Sequence, residues 1–347
     1  MSALRQIVFP SLLLLVLHAA VSAQAAEADA PRPLQQREKV LVGSAGRQTA
    51  VAALHLAMAL GEFEKENLSV ELSIHRPSDN FVLLATGRID VAVGQPSAAF
   101  FNAVAAGAGI KQVAPTGTFA PKNGFWVSQA WLKGRPWSPE MLKGQVIAAP
   151  AGLGTTTAHA ARVELAKAGL TLNDISWRAM SLGDLLPALE NGSVNIALLL
   201  DPFWRNADPA KVTYVFSYGY PPGVPGGYFF GPNLLVQKRA VGEAFVRALA
   251  RTTRLYLQGD FGKDPRVAAA LAKELQVSLE QVTSAADSLI FPADLPIRGD
   301  LAAMLQDTYF STPGILTYSQ PMPEDKVVDR GFVRAAGISP PTTTSVR

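Results

Sequence analysis

The sequence predicts an α/β protein of two similar lobes facing each other across a cleft. Three observations lead there. A segment from Val40 to Pro96 recurs, with its landmarks in the same order, from Val146 to Pro202. Strand-like and helix-like stretches alternate through both copies, the pattern of parallel βαβ units. The chain's 347 residues also exceed the roughly 100–200 usual for one domain.

Internal repeats set the architecture, so they are read first. Val40-Leu-Val leads to Ala45-Gly46-Arg-Gln-Thr49, as Val146-Ile-Ala leads to Ala151-Gly152-Leu-Gly-Thr155. Each is followed by an Ala-rich helical stretch and a glycine stop, at Gly61 and Gly169. Each copy closes on a short strand: Gly87-Arg-Ile-Asp-Val-Ala92 before Gln95-Pro96, and Gly192-Ser-Val-Asn-Ile-Ala197 before Asp201-Pro202.

In chain order, residues 27–36 are polar with two prolines, a linker. Lys39 to Gly43 reads as a buried strand. Thr49 to Leu60 is apolar nearly all round, a core helix stopped by Gly61. Leu68 to Ile74 alternates apolar and polar, as a half-buried strand does. Ser78 to Thr86 is helical, Ile89 to Val93 a strand, Ser97 to Ala106 a helix and Gln112 to Phe119 extended. Pro121-Lys-Asn-Gly124 and Pro136 to Pro139 break the pattern, and the second lobe begins here. It runs to a strand at Val212 to Tyr218. Tyr220 to Gly227 is rich in proline and glycine and marks the return crossing. Leu234 to Val236 is expected to resume a strand. Helices follow at Val241–Gln258, Pro265–Leu275, Leu279–Leu289 and Asp300–Phe310.

Composition narrows the setting. Arg5 and the apolar stretch Ile7 to Leu17, followed by the small-x-small sites Val21-Ser22-Ala23 and Ala23-Gln24-Ala25, read as a secretory signal peptide. Cysteine is absent, which excludes disulfides, thiolate metal sites, a cysteine nucleophile and a lipoprotein anchor. These features fit export to the periplasm. The net charge of +3 comes without a basic patch or motif, so no nucleic-acid partner is expected.

Ligands of open parallel sheets sit outside the carboxyl ends of the strands, where helix N-termini offer unpaired N–H groups. The repeat puts small polar residues there in both copies. The first offers Ser44, Arg47, Gln48 and Thr49, then Gln95 and Ser97. The second offers Gly154, Thr155, Thr156 and Thr157, then Asp201, Phe203 and Trp204. Arg47 is the candidate charge partner for an anion. The same Ser and Thr residues also suit ordinary helix caps. Trp126, Trp204, Tyr228 and Phe229 are candidates for an apolar wall or for core packing. Enzyme signatures fail: Ala151 to Thr156 lacks the lysine of a P-loop, and Gly43-Ser44-Ala-Gly46 misses the spacing of a nucleophile elbow. His55, His75 and His159 form no ligand cluster, so no catalytic residue, metal or cofactor is expected.

Four segments together resemble solute-binding proteins of ABC transporters, of the nitrate/sulfonate/taurine (NMT1/THI5-like) family. They are Ala59-Leu-Gly-Glu-Phe-Glu-Lys-Glu-Asn-Leu-Ser-Val-Glu71, Leu84-Ala-Thr-Gly-Arg-Ile-Asp-Val-Ala92, Leu142-Lys-Gly-Gln-Val-Ile-Ala-Ala-Pro150 and Ala188-Leu-Glu-Asn-Gly-Ser-Val-Asn195. The resemblance implies a type II periplasmic binding protein fold, with the lobes joined by two crossings. Lobe I would take residues 39–119 and 229–338, and lobe II residues 120–228. A signal peptide (1–25), a linker (26–38) and a flexible tail (339–347) would flank them. The implied function is capture of a small anionic or heteroaromatic solute (a sulfonate, taurine, nitrate or a pyrimidine) by lobe closure. Delivery to an inner-membrane permease would follow, with the receptor a monomer. An exported enzyme on this scaffold, or a protein that presents ligand to a sensor, are the alternatives. The thiamine-precursor synthases of the same broad group carry a Cys-rich motif that this chain lacks.

Overall fold

The computed structural model describes residues 32–119, 122–201, 203–218, 226–297 and 301–337. The expected signal peptide, residues 26–31 of the linker, the turn-rich stretch up to 225 and the tail lie outside them.

Apart from 3₁₀ turns and the one-turn helix Gln129–Leu132, the elements of the first part of the chain follow one another in order. They are β1 (Glu38–Ser44), α1 (Ala52–Ala59), β2 (Leu68–Ile74), α2 (Pro77–Ala85), β3 (Val91–Gly94), α3 (Ala98–Ala105), β4 (Lys111–Pro115), β5 (Thr118–Phe119), β6 (Gly124–Ser128) and β7 (Val146–Ala149). The rest includes α4 (Thr156–Ala166), β8 (Ser176–Ala179), α5 (Leu182–Glu190), β9 (Ile196–Leu199), β10 (Val212–Ser217), β11 (Gly227–Phe230), α6 (Arg239–Tyr256), α7 (Pro265–Leu275), α8 (Leu279–Ala285), β12 (Leu289–Ile290) and α9 (Leu301–Phe310), followed by the short helices Glu324–Val327 and Gly331–Ala335.

Two five-stranded sheets form, with orders β2-β1-β3-β11-β4 and β8-β7-β9-β6-β10. Written this way they are one topology used twice. In each sheet the first strand of the repeat, β1 or β7, lies between two parallel neighbours. In each, one strand runs antiparallel beside the third, β11 against β3 and β6 against β9. That strand is the first one after a crossing: β6 follows the passage out of the first sheet, and β11 the passage back. A two-stranded ribbon, β5 with β12, accompanies the crossing, pairing Phe119 with Leu289 and Thr118 with Ile290. Both sheets belong to one compact unit that begins at Leu34.

The strand period of two splits the core of each lobe between the faces of its sheet. Val40 and Val42 face α1, α6 and α7, while Leu41 faces the other way, toward α2, α3 and α9. In the second sheet Phe125, Val127, Ile147 and Ala149 pack on the α4 side, and Trp126, Ala148, Ala197 and Leu199 on the α5 side. Gly61 (φ 73°) and Gly169 (φ 66°) take the left-handed conformation, as glycines that stop helices do.

Three expectations from sequence need correction. Leu234 to Val236 is not a strand but part of a π-helical turn, Asn233–Gln237, that runs into α6. The strand falls earlier, on Gly227–Phe230, whose aromatic run fills the slot between β3 and β4. Pro232 then takes the helical conformation (φ −52°) and ends the extended run. The expected helix at 279–289 ends at Ala285, and a 3₁₀ turn leads into β12. The helix expected from Thr49 opens as a 3₁₀ turn, Thr49–Val51, before α1.

Candidate functional site

Four loops leave the carboxyl ends of the parallel strands β1, β3, β7 and β9, and these loops, with the helix starts that follow them, carry the candidate residues from Ser44 to Thr49, Gln95 and Ser97, Gly154 to Thr157, and Asp201 to Trp204. The strands hold the loops side by side within each lobe, since Ser44 pairs with Val93 and Ala148 with Ala197.

In the first loop the buried Ser44 hydroxyl donates to the Gly46 carbonyl at 2.8 Å, closing a local turn. Gln48 is exposed; its carbonyl accepts from Val51 N at 2.9 Å, and its side chain makes no cap for Thr49. Arg47 turns toward the end of α7. Its Nη1 donates to the Glu274 carbonyl at 2.6 Å and lies 3.8 Å from that residue's carboxylate. In the second loop Gln95 Oε1 is buried without a hydrogen-bond partner. Ser97 precedes α3 in extended conformation, with no capping bond from its side chain.

The third loop is a built helix start. Gly154 adopts φ 75°, and Thr155 Oγ1 accepts from Thr157 N at 3.2 Å while donating to the Gly152 carbonyl at 2.5 Å. The cap expected of Thr155 is therefore present. Thr156 is buried, its hydroxyl 2.6 Å from the Tyr218 hydroxyl.

Asp201 anchors the fourth loop. Its N–H donates to Asn123 Oδ1 at 2.7 Å, and Arg205 Nε donates to its Oδ2 at 2.5 Å. Arg205 continues to Asp287, just before β12, so a Asp201–Arg205–Asp287 chain of charges ties the second lobe to the crossing ribbon. Asn123 Nδ2 adds a bond to the Ser288 carbonyl at 3.3 Å. Burial pushes the Asp201 carboxyl up from its ordinary value, with Ser288 and Arg205 pulling the other way. Phe203 is half-buried beside Gly183. Trp204 has Trp126 6.3 Å away and tilted by 19°, the Arg205 guanidinium 4.6 Å from its ring and Lys122 Nζ at 5.5 Å. Of the four aromatic candidates, Tyr228 and Phe229 are core. Phe229 packs on Phe81 and Phe100, and Tyr228 meets Phe245 edge-on.

The lobes touch. Ala98 N, at the start of α3, donates to the Gly154 carbonyl at 2.9 Å. A Cβ at Gly154 would come within 3.3 Å of the Ala98 Cβ and 3.5 Å of Ile315 Cγ2. Asn102 pins that last segment, donating to the Ile315 carbonyl at 3.0 Å and accepting from Thr317 N at 2.9 Å. Between α4 and α9, Arg162 pairs with Asp307 at 2.6 Å and His159 Nδ1 lies 2.8 Å from Thr308 Oγ1. Thr308 donates its own proton to the Met304 carbonyl, so it accepts from His159 and fixes the Nδ1–H tautomer. Burial, followed by Arg162, holds the imidazole below its ordinary value against the opposing pull of Asp307.

The sequence reading missed Asn102, Asn123, Arg205, Asp287 and the α9 residues. The spacing of Asp201 and Arg205, four apart, was a readable signal for one pair. The others act across long sequence separations and leave no local pattern. Among the described residues no group of three His, Cys, Asp or Glu side chains could hold a metal ion, and no helix is long and apolar enough to cross a membrane.

No protein-family model matches the sequence, and no curated protein matches it. Solved structures do resemble it. The ligand-binding component of an ABC-type import system from Staphylococcus aureus aligns with a TM-score of 0.65 at 16% identity, over 87% of this chain and 100% of that one. The periplasmic aliphatic sulphonate-binding protein SsuA from Escherichia coli gives 0.63 at 17%, over 86% and 100%. The periplasmic nitrate-binding protein NrtA from Synechocystis gives 0.62 at 13%, over 87% and 88%. The desulfurization enzyme DSZB shares the fold more distantly, at 0.55 and 14%, over 86% and 99%. With its repeated sheet topology and paired crossings, the chain has the periplasmic binding protein fold.

Proposed function

We propose that the protein is a periplasmic solute receptor of an ABC importer. It captures a small anionic or heteroaromatic solute between its lobes and delivers it to a membrane permease. One observation carries this reading: two sheets of one topology present their strand-end loops to each other, and the loops meet at Ala98 and Gly154. Contacts that exist only when the lobes are together let a solute that touches both shift an open–closed equilibrium. The solute-binding neighbours support the same reading through fold likeness, and DSZB shows that the fold also hosts catalysis.

Native mass spectrometry of protein purified from its own host would reveal a co-purified small molecule. A thermal-shift panel of sulfonates, nitrate, carboxylates and pyrimidines complements it. A solute present at 100 times its Kd adds about 2.7 kcal/mol to stability. The receptor reading fails if no solute co-purifies and none moves the melting curve. Recovery of a chemically altered solute after incubation would favour an enzyme instead.

A further inference from the structure

We propose that the two lobes carry a latch of their own. The loop before α4 and the first turns of α4 dock directly on α3, on α9 and on the strap that follows α9, so closure needs no partner from a solute. Opening, rather than closing, is then the step that admits solute. That last clause rests on the receptor reading; the latch itself does not.

One stretch of the second lobe, Gly154 to Arg162, makes the contact. Ala98 opposes it as the first residue of α3, and a helix-start N–H has no partner within its own helix. Ser97 offers no side-chain cap, and the Ala98 N–H donates across the cleft to the Gly154 carbonyl at 2.9 Å. Gly154 permits the approach because it brings no side chain: a Cβ there would stand 3.3 Å from Ala98 Cβ and 3.5 Å from Ile315 Cγ2. Ile315 belongs to the strap, residues 311–317. Asn102 of α3 fixes that strap by donating to the Ile315 carbonyl at 3.0 Å and accepting from Thr317 N at 2.9 Å. Tyr309 of α9 donates to the Pro96 carbonyl at 3.0 Å, so α9, the strap and the start of α3 form one surface.

Burial distinguishes a latch from a passing touch. His159 is 3% exposed and Thr308 1%, and the hydrogen bond between them joins the lobes from inside the contact. Buried polar groups are costly unless paired, and here each lobe supplies the other's partner. At the rim, Arg162 and Asp307 add an ion pair at 2.6 Å that solvent largely screens. Against these stands His159 Nε2, a buried acceptor without a donor. The balance is a weak latch made of several small terms, one that holds the lobes together and parts under a modest bias. Each link should therefore be worth a several-fold change in the ratio of closed to open molecules.

Ala98→Pro cuts the latch at one atom. Proline suits the first position of a helix, and Ser97 before it is already extended (φ −82°, ψ 170°), so α3 keeps its start and loses only the N–H that reaches Gly154. Gly154→Asn acts from the other lobe: asparagine tolerates the left-handed backbone, and its side chain wedges against Ala98 and Ile315. Spin labels on cysteines at exposed positions 143 and 273, one beside each sheet, read the separation of the lobes in the whole protein. The sample is dialysed until its native mass is that of the chain alone. A short distance is expected to dominate in the parent. Each variant should shift the ratio of short to long distances by on the order of tenfold, the equal of about 1.4 kcal/mol. Either variant decides if the other fails to fold. A parent already at the long distance, or variants that match the parent, overturns the latch. The thermal-shift panel reports on solute alone and keeps the two readings apart. An open parent that binds a member of the panel removes this inference and leaves the receptor; a closed parent that binds none leaves the latch and removes the receptor.

Discussion

His55 shows how a single buried side chain sets a pH limit. It lies in α1, 1% exposed, and Nδ1 has no hydrogen-bond partner. Burial, reinforced by Arg47, lowers its pKa from 6.5 to about 4. The unfolded chain therefore takes up the proton below pH 6.5, whereas the folded chain resists it until about 4. Stability from this group is full above pH 6.5 and is lost as the pH falls toward 4, a loss of roughly 3 kcal/mol over that window. His159, also held low by burial, acts with the same sign. Urea denaturation at pH 7 and pH 5 measures the effect, and His55→Leu should flatten the difference. An equal acid loss in that variant would show that His55 is not the titrating group. Arg47 contributes here as a charge close to His55, a role that its place in the loop sequence did not reveal.

At the scale of elements, the segment Gly61 to Asn67 shows what sequence reading can and cannot reach. The glycine stop and the following strand were readable because turn chemistry and the period of two are local. The role of the acidic residues was not. Glu62 and Glu66 are buried against α6, where Arg251 donates to both carboxylates at 2.6 Å and Arg247 to Glu66 at 2.7 Å. Tyr256 donates to Glu62 at 2.8 Å. The partners lie 181 to 194 residues further along the chain, so no local pattern announces them. The same separation explains the candidate site. Its strand-end loops were legible from the repeat, but the attachments of Asp201 to the crossing ribbon and of Gly154 to α3 were not. Leu234 to Val236 failed for another reason, because a short apolar run fits a strand and a buried helical turn equally well. Arg251→Met tests the network. It takes a donor from each buried carboxylate but leaves Glu62 to Lys65 and Tyr256 and Glu66 to Arg247, so the loss should fall below the about 3–5 kcal/mol of a fully broken buried pair, and lower again by the solvent that reaches the Arg251 side chain, which is 30% exposed. A urea midpoint unchanged by the substitution would mean that the docking of this segment rests on Phe63 and its stack with Phe245 instead.

Across the whole molecule, stability and the proposed solute capture meet where the lobes touch. The hinge side is tied by Asp201, Arg205 and Asp287, and the α4–α9 side by Arg162 with Asp307 and His159 with Thr308. These two sets differ in kind. The Arg162–Asp307 pair is substantially exposed, and such pairs contribute at most about 1 kcal/mol. The His159–Thr308 bond is buried, with a net value of about 1 kcal/mol. Removing both by Asp307→Ala with Thr308→Val should shift the open–closed balance by about 1–2 kcal/mol, on the order of tenfold in population. Acid has the same sign. A proton on His159 Nε2 needs an acceptor that the closed interface does not supply, while an open cleft supplies water. The absence of cysteine makes the measurement direct, because exposed Lys143 in one lobe and Lys273 in the other can be replaced by cysteine and labelled. Energy transfer between the labels should report a longer distance in the double substitution at pH 7, and in the parent protein as the pH falls below 6.5. If both distance distributions match the parent at pH 7, α9 is a passive wall of the first lobe and closure is governed from the hinge side alone.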